Sequence, residues 1–539
     1  MPEDLDSIRD ALTDRTILLV PYCHADWAWT HSRRWHEVRY ALALDEVLDI
    51  IAEQEEAGIE ADAPEAFCWY TDCFRTQIAG FLHARPDRAE ELAERITEGR
   101  IAICGGYANV RINHVPGEMF IRSMVLGRRE WRKLAPDADL SVHSDIVDVA
   151  VGHPQTPQLL SLGGYRFLQC WRPEEALNAK GLPHQFTWEG IDGTRVLVAR
   201  GSYGDVARAE FAPDDFEDRW EDVVEHWWRD VLEYKLEHAA ADVLWLNRGC
   251  DDARPLRTHP ASDQDLDLPG LVREWNDRET STMRFATPTE AFALLAERAE
   301  DLPMHASTLD PCDVSYNAAW GGAHGLWRLR QECADEIGRA EMLDALAAEG
   351  ATDRDEFDDL WRDALLCSAH ATQWLFEDDF ERLHALAQST LTRAREAQRR
   401  SLTALSQRVD APERSLSLLV NPLAHSREAT VPLRLTFVRG GEGGAPEPMR
   451  LVDAEGDEVP WQLLKPLSHG GVTWELEALV RADLHAGGWT ALAWEPEEPS
   501  EHPWPLLPDD ATTIATDELA LHFDRGRLTR ITDREADAI

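Results

Sequence analysis

The chain has 539 residues, with 100 acidic against 54 basic side chains and a formal net charge of −46. A surface so negative repels phosphodiester backbones and anionic headgroups, which argues against nucleic acid and membrane partners. The length exceeds what one core serves, so two to four domains are expected, and no apolar run reaches the roughly 18–20 residues needed to cross a bilayer.

Seven apolar or β-branched runs are predicted strands: Thr16–Pro21, Phe67–Tyr70, Ile101–Cys104, Leu140–His143, Phe167–Trp171, Val196–Arg200 and Val243–Leu246. Helical patterns separate several of them, most clearly Arg88–Gly99, whose glycine stands just before the next run. Alternating β and α elements predict a mostly parallel sheet, open or closed, with its chemistry at the carboxyl ends of the strands. From about Gly325 to Val409 the spacing turns helical, with Leu326–Glu349, Glu356–Trp374 and Phe380–Gln407 predicting a three-helix bundle. After Asp410-Ala411-Pro412 short alternating runs such as Ser415–Val420, Ala429–Thr436 and Thr490–Trp494, broken by Gly440–Pro446, predict a β-sandwich. Strand-like text continues to Ile539 with no closing element, so the β region is expected to be incomplete.

Nine cysteines without paired spacing, and a polar, acidic start from Met1 to Arg15, point to reduced thiols and a cytoplasmic location. The basic set is almost wholly arginine, with only Lys133, Lys180, Lys235 and Lys465 as lysines. An acidic, lysine-poor surface suits concentrated salt, where screening relieves self-repulsion. GC-rich coding would also replace Lys by Arg, but it does not account for so many carboxylates.

Four short stretches carry the chemistry. His24-Ala25-Asp26 follows the first run, and residues two apart on an extended chain face the same side, so imidazole and carboxylate can meet one metal ion. Trp27 and Trp29 beside it are either sugar platforms or core. Asp148 sits in an apolar loop as nucleophile, ligand or solvated residue. The pair Asp251-Asp252 follows the last run and offers either a solvated loop or the carboxylic acid that protonates a leaving oxygen. His370 lies in a helical, apolar context that suits a core histidine as well as a ligand.

The segment Val20-Pro21-Tyr22-Cys23-His24-Ala25-Asp26-Trp27-Ala28-Trp29 resembles the opening motif of the glycoside hydrolase family 38 α-mannosidases. So do Glu98-Gly99-Arg100-Ile101 through Gly105-Gly106 to Pro116-Gly117-Glu118 and Arg122, the loop around Asp148, and Phe186-Thr187-Trp188-Glu189-Gly190-Ile191-Asp192-Gly193. Val420-Asn421-Pro422-Leu423, Val459-Pro460-Trp461-Gln462 and Gly526–Asp533 extend the resemblance into the β region. It implies a seven-stranded (β/α) barrel over residues 1–305, a three-helix bundle over 306–410 that completes a metal site, and a truncated β-sandwich region over 411–539.

Carried onto matching positions, the resemblance makes His24, Asp26, Asp148 and His370 ligands of Zn2+, Asp148 also the nucleophile, and Asp251 the acid/base with Asp252 as its rival. Trp29 and Arg172 would bind substrate. The expected protein is a zinc-dependent retaining α-glycosidase, α-mannosidase-like, acting on an oligosaccharide or glycoside through a covalent glycosyl-aspartate. Its two carboxyls would stand about 5–5.5 Å apart. Ala371 after the bundle histidine, Tyr107–Asn113 after the paired glycines and Ser315–Gly322 depart from the family's sugar-holding residues. Those departures leave a catalytically idle carbohydrate-binding relative as one alternative; the other is a zinc amidohydrolase or deacetylase that uses the same ligands without a glycosyl intermediate. Oligomeric state stays open, a homo-oligomer included.

Overall fold

A computed structural model of the chain describes residues 4–28, 30–110, 115–145, 152–171, 174–200, 204–205, 219–255, 267–309, 326–347, 352–370, 376–409, 415–436, 449–469, 472–496 and 512–534. The chain divides into two compact units, Met1–Ala404 and Leu405–Ile539.

Among the described residues the first unit contains ten strands: β1 (Thr16–Pro21), β2 (Trp69–Cys73), β3 (Ile101–Gly106), β4 (Val142–Asp145), β5 (Phe167–Cys170), β6 (Gln185–Glu189), β7 (Arg195–Arg200), β8 (Val243–Arg248), β9 (Thr282–Phe285) and β10 (Met304–His305). Every predicted run overlaps one of them. β6, β9 and β10 are additional: β6 overlaps the motif Phe186–Gly193, β9 alternates polar and apolar residues, and β10 has two residues. The strands form three ladders, β8-β1-β9, β2-β3 and β10-β6-β7-β5-β4, parallel throughout except for the β6–β7 pair. A single parallel bridge between Tyr22 and Tyr70 links the first ladder to the second. The architecture is thus mixed α/β with its strands in three arcs, and a continuous hydrogen-bonded ring of seven does not form among the described residues.

β1 explains why such runs are apolar without alternation. Ile17 and Leu19 belong to one buried cluster, while Leu18, Val20 and Tyr22 belong to another, so both faces of the strand are covered. The stacked rings of Tyr22 and Tyr70, 5.2 Å apart, lie on the second face. On that same side a polar relay runs from Ser144 Oγ to Gln169 Oε1 (3.2 Å) and from Gln169 Nε2 to Asn247 Oδ1 (3.0 Å), which also accepts from Trp245 Nε1 (2.9 Å).

Three helices, Leu326–Ala347, Arg354–Ser368 and Glu377–Ser406, fill the region predicted as a bundle. The middle one stops six residues before the predicted Trp374. Ala369 adopts an extended backbone (φ −53, ψ 140) and bridges to Val110, which ends the helical bonding. Helix Arg354–Ser368 is tied to Gly117–Leu134 through Arg129–Asp358 and Arg362–Glu130 ion pairs of 2.7 and 2.9 Å. Asp379 Oδ2 accepts from the first backbone N–H of helix Arg33–Glu56 (2.9 Å), joining the last helix to the region around β1. Among the described residues no helix is long and apolar enough to cross a membrane.

In the second unit, β11 (Ser415–Asn421), β12 (Arg427–Thr436), β13 (Met449–Val452), β14 (Trp461–His469), β15 (Val472–Leu484), β16 (Gly488–Pro496), β17 (Thr513–Ala515), β18 (Leu519–Asp524) and β19 (Arg527–Asp533) form three antiparallel sheets, β11-β16-β13, β12-β15-β14 and β17-β18-β19. The first two share one core of Leu419, Leu451, Leu492 and Trp494 against Leu476, Ala478 and Val480, as the two layers of a sandwich do.

Candidate active site

The parallel pairing of β1 with β8 continues beyond both strands. Tyr22 N donates to the Arg248 carbonyl (2.9 Å) and His24 N to that of Cys250 (3.1 Å), and His24 and Asp251 form a bridge. Gly249 allows this approach, since a Cβ there would lie 1.9 Å from the Tyr22 carbonyl oxygen. Gly105 does the same for β3 beside β2, where a Cβ would sit 1.8 Å from the Asp72 carbonyl. His24 and Asp26 continue the parity of Leu18, Val20 and Tyr22, while Cys23, Ala25 and Trp27 pack into the opposite cluster. Trp27 is fully buried, with the Arg33 and Arg75 guanidinium groups over its ring at 5.3 and 5.8 Å, so it is core and not an open platform.

His370 reaches this point from the helical region. It lies two residues beyond the helix Arg354–Ser368 and is held by its backbone N–H on the Asn109 carbonyl (2.8 Å), just past β3. Its Nε2 is 2.8 Å from that of His24, and each of these nitrogens is 3.6 Å from Asp26 Oδ1. All three residues are buried.

Donors bound about 2.0–2.2 Å from one tetrahedral ion stand roughly 3.3–3.5 Å apart; the two 3.6 Å separations are close to that spacing, the 2.8 Å between the imidazole nitrogens is shorter, and two imidazoles with a carboxylate are the donor types of a zinc-class cation. The electrostatics agree. Asp26 Oδ2 is buried and accepts no hydrogen bond among the described residues. Burial opposes ionisation of Asp26, but the facing His24 and His370 outweigh it and hold its carboxyl well below the usual range. Burial likewise opposes charge on His24, yet Asp26 and Asp72 raise that imidazole well above its ordinary value. The cluster favours positive charge at its centre.

Asp72, which the sequence reading did not single out, stands behind His24. Its Oδ2 is 3.5 Å from His24 Nδ1, and neither carboxylate oxygen has a hydrogen-bond partner among the described residues. A carboxylate there favours the ring orientation in which His24 Nε2 faces Asp26 and His370, and behind a metal ligand such an outer partner carries about 10–100-fold in metal affinity. Asp72→Asn is therefore expected to weaken zinc retention by about that factor, measured by competition with a chromogenic chelator. Unchanged affinity would refute the role.

Asp251 and Asp252 diverge. Asp251 is half-buried, whereas Asp252 is buried and held in the left-handed region (φ 56). Its backbone carbonyl takes two bonds from Arg39 (2.9 Å each), and Tyr40 Oη donates to its Oδ1 (3.1 Å) and to the Asp26 carbonyl (2.7 Å). Burial pushes the Asp252 carboxyl up, against the opposing pull of His36. Trp29, Asp148 and Arg172 lie outside the described residues.

Residues 14–308 match the model of the glycosyl hydrolases family 38 N-terminal domain. Among solved structures the chain is similar to an alpha-mannosidase from Enterococcus faecalis V583, with 18% identity, a TM-score of 0.71 and coverage of 97% of this chain and 61% of that one. It is similar also to a glycosyl hydrolase family 38 protein from Enterococcus faecalis, with 16% identity, a TM-score of 0.68 and coverage of 98% and 59%. The chain thus spans about three-fifths of the length of these two structures. No curated protein matches it.

Proposed function

The chain belongs to glycosyl hydrolase family 38, and from that premise we propose that it is a zinc-dependent retaining α-glycosidase, α-mannosidase-like in its preferred sugar. The observation that carries the reading is the meeting of His24 and Asp26, from the segment after β1, with His370, from beyond the helix Arg354–Ser368, in one buried cluster. Asp148 is proposed as fourth ligand and nucleophile on the strength of its motif. The three ladders are read as arcs of one barrel, with the helices 326–347, 354–368 and 377–406 as the domain that completes the site.

A zinc ion held by His24, Asp26, Asp148 and His370 would grip neighbouring sugar hydroxyls and polarise them. The remaining work falls to the chain's own carboxyls. Asp148 attacks the anomeric carbon as the glycosidic bond breaks, while a carboxylic acid of the Asp251-Asp252 pair gives its proton to the leaving oxygen. Water then attacks the glycosyl-aspartate, gives a proton back to that carboxylate, and frees the sugar and Asp148. Asp252 is favoured as the acid because it is buried and held by Tyr40 and Arg39, whereas Asp251 is half open.

The test is a panel of aryl α- and β-glycosides assayed in high salt with and without a chelator. Hydrolysis of an α-mannoside that stops on zinc removal and returns on zinc addition is the expected result. Tight zinc binding with no turnover of any glycoside would defeat the reading. Asp252→Asn should slow substrates with poor leaving groups by about 10²–10⁴-fold and activated dinitrophenyl glycosides far less, since those depart without a proton. The same signature in Asp251→Asn alone would move the acid to Asp251.

A further inference from the structure

Beside the proposed catalytic cluster lies a second set of ligand-type atoms, one each from His31, His36 and Asp252, all within 4.8 Å of one another. His31 precedes the helix Arg33–Glu56, His36 sits in its first turn, and Asp252 comes from beyond β8. His36 is fully buried. Its Nδ1 lies 3.1 Å from the Ser32 carbonyl and 3.3 Å from the Ala28 N–H. Nδ1 can donate to Ser32 or accept from Ala28 but not both, and in the tautomer that donates to Ser32 the Nε2 is a bare lone pair. That Nε2 makes no hydrogen bond among the described residues and faces Asp252 Oδ1 at 3.6 Å. The gap is too long for a hydrogen bond and close to the roughly 3.3–3.5 Å between two donors sharing one tetrahedral ion.

The other two groups are held in place. The His31 ring stacks on Trp35 (centroids 3.8 Å, 14°), and its Nδ1 is 3.0 Å from Thr30 Oγ1, which leaves Nε2 for a ligand. Tyr40 and Arg39 fix Asp252 through its carboxylate and its carbonyl. Two imidazoles and one carboxylate form a set suited to an open zinc-type site. His31 is exposed, so an ion can enter from solvent.

We propose that His31, His36 and Asp252 form a second, weaker site for a zinc-class divalent cation, and that filling it silences hydrolysis by engaging the Asp252 carboxyl. It is weaker because one ligand is exposed and three side chains, not four, supply it. The inhibitory consequence rests on the reading of Asp252 as the acid; the binding consequence does not.

The metal-stripped full chain is dialysed in high salt against a small molar excess of zinc, and bound zinc is counted by atomic emission. Two ions per chain are expected for the wild type and one for His31→Ala, an exposed change that leaves the buried core intact. His31→Ala with His36→Asn should also hold one, and His24→Ala should keep the ion of the second site. In the glycoside assay, each variant against its own uninhibited rate, the half-inhibiting zinc concentration should rise roughly tenfold or more in His31→Ala. Saturation of the wild type at one ion that His31→Ala still holds, or two ions held equally well by His31→Ala, overturns the site. Zinc inhibition unchanged in His31→Ala overturns the inhibitory role. A chain that hydrolyses no glycoside yet binds two ions, losing one with His31→Ala, would defeat the glycosidase reading and sustain this site.

Discussion

His370→Ala should lose its metal and, with it, about three orders of magnitude of glycoside turnover, on the order of 4 kcal/mol of transition-state stabilisation. The reason lies in where His370 stands. Its side chain is one of three buried donors around a common point, while its backbone N–H, bonded to the Asn109 carbonyl, holds the end of the helix Arg354–Ser368 to the chain beyond β3. Alanine keeps that backbone bond and the Ala369–Val110 bridge, so the fold should persist and the loss should be confined to the site. Chelation of the wild type should reproduce the defect and zinc should reverse it, whereas added zinc should leave the variant inactive. Equal melting temperatures of the two metal-free proteins would show that folding is not the cause. A variant that keeps both zinc and turnover would remove His370 from the site.

How far the sequence foretold this arrangement depends on the residue. The run Thr16–Pro21 was legible because both of its faces are buried, which leaves an unbroken apolar stretch. The shared side of His24 and Asp26 followed from strand parity. β9 and β10 were not legible: β10 has two residues, and in β9 the polar Thr282 and Arg284 alternate with Met283 and Phe285, so no apolar run marks it. The helix end at Ser368 was hidden because the residues that follow keep helical composition while Ala369 pairs with a distant segment, an effect of tertiary contact alone. Asp72 was missed for a related reason. A carboxylate near the end of an apolar run reads as a solvated loop residue, and only the fold shows it beside His24 Nδ1. The resemblance preferred Asp251 to the adjacent Asp252 as the acid, and the left-handed backbone at Asp252 is what separates their surroundings.

Lys235→Met should destabilise the first unit by about 3–5 kcal/mol, the usual result of stripping one partner from a buried ion pair. Lys235 is one of only four lysines, and its side chain is 1% exposed with Nζ 2.8 Å from Asp205 Oδ2. The same oxygen accepts from Asn247 N on β8 (2.9 Å), and the Asn247 side chain ends the relay from Ser144 and Gln169, so the pair anchors the interior polar network. Burial pushes the Asp205 carboxyl up, and Lys235 works against that shift. Without the ammonium the carboxylate must either stay charged in an apolar setting or take up a proton, and both are costly. Exchanging both residues, Asp205→Asn with Lys235→Met, should recover much of the loss, because a neutral pair has no charge to desolvate. Lys235→Arg should fail to rescue, since a planar fork with five donors needs more acceptors than one carboxylate oxygen provides. Urea unfolding of the single and double variants gives the coupling directly. The cost of Lys235→Met should also be nearly the same in dilute and concentrated KCl, because mobile ions screen the exposed carboxylates of the surface but do not reach this pair. A loss below about 1 kcal/mol, or one that disappears in salt, would mean that water reaches the pair and that it behaves as a surface salt bridge.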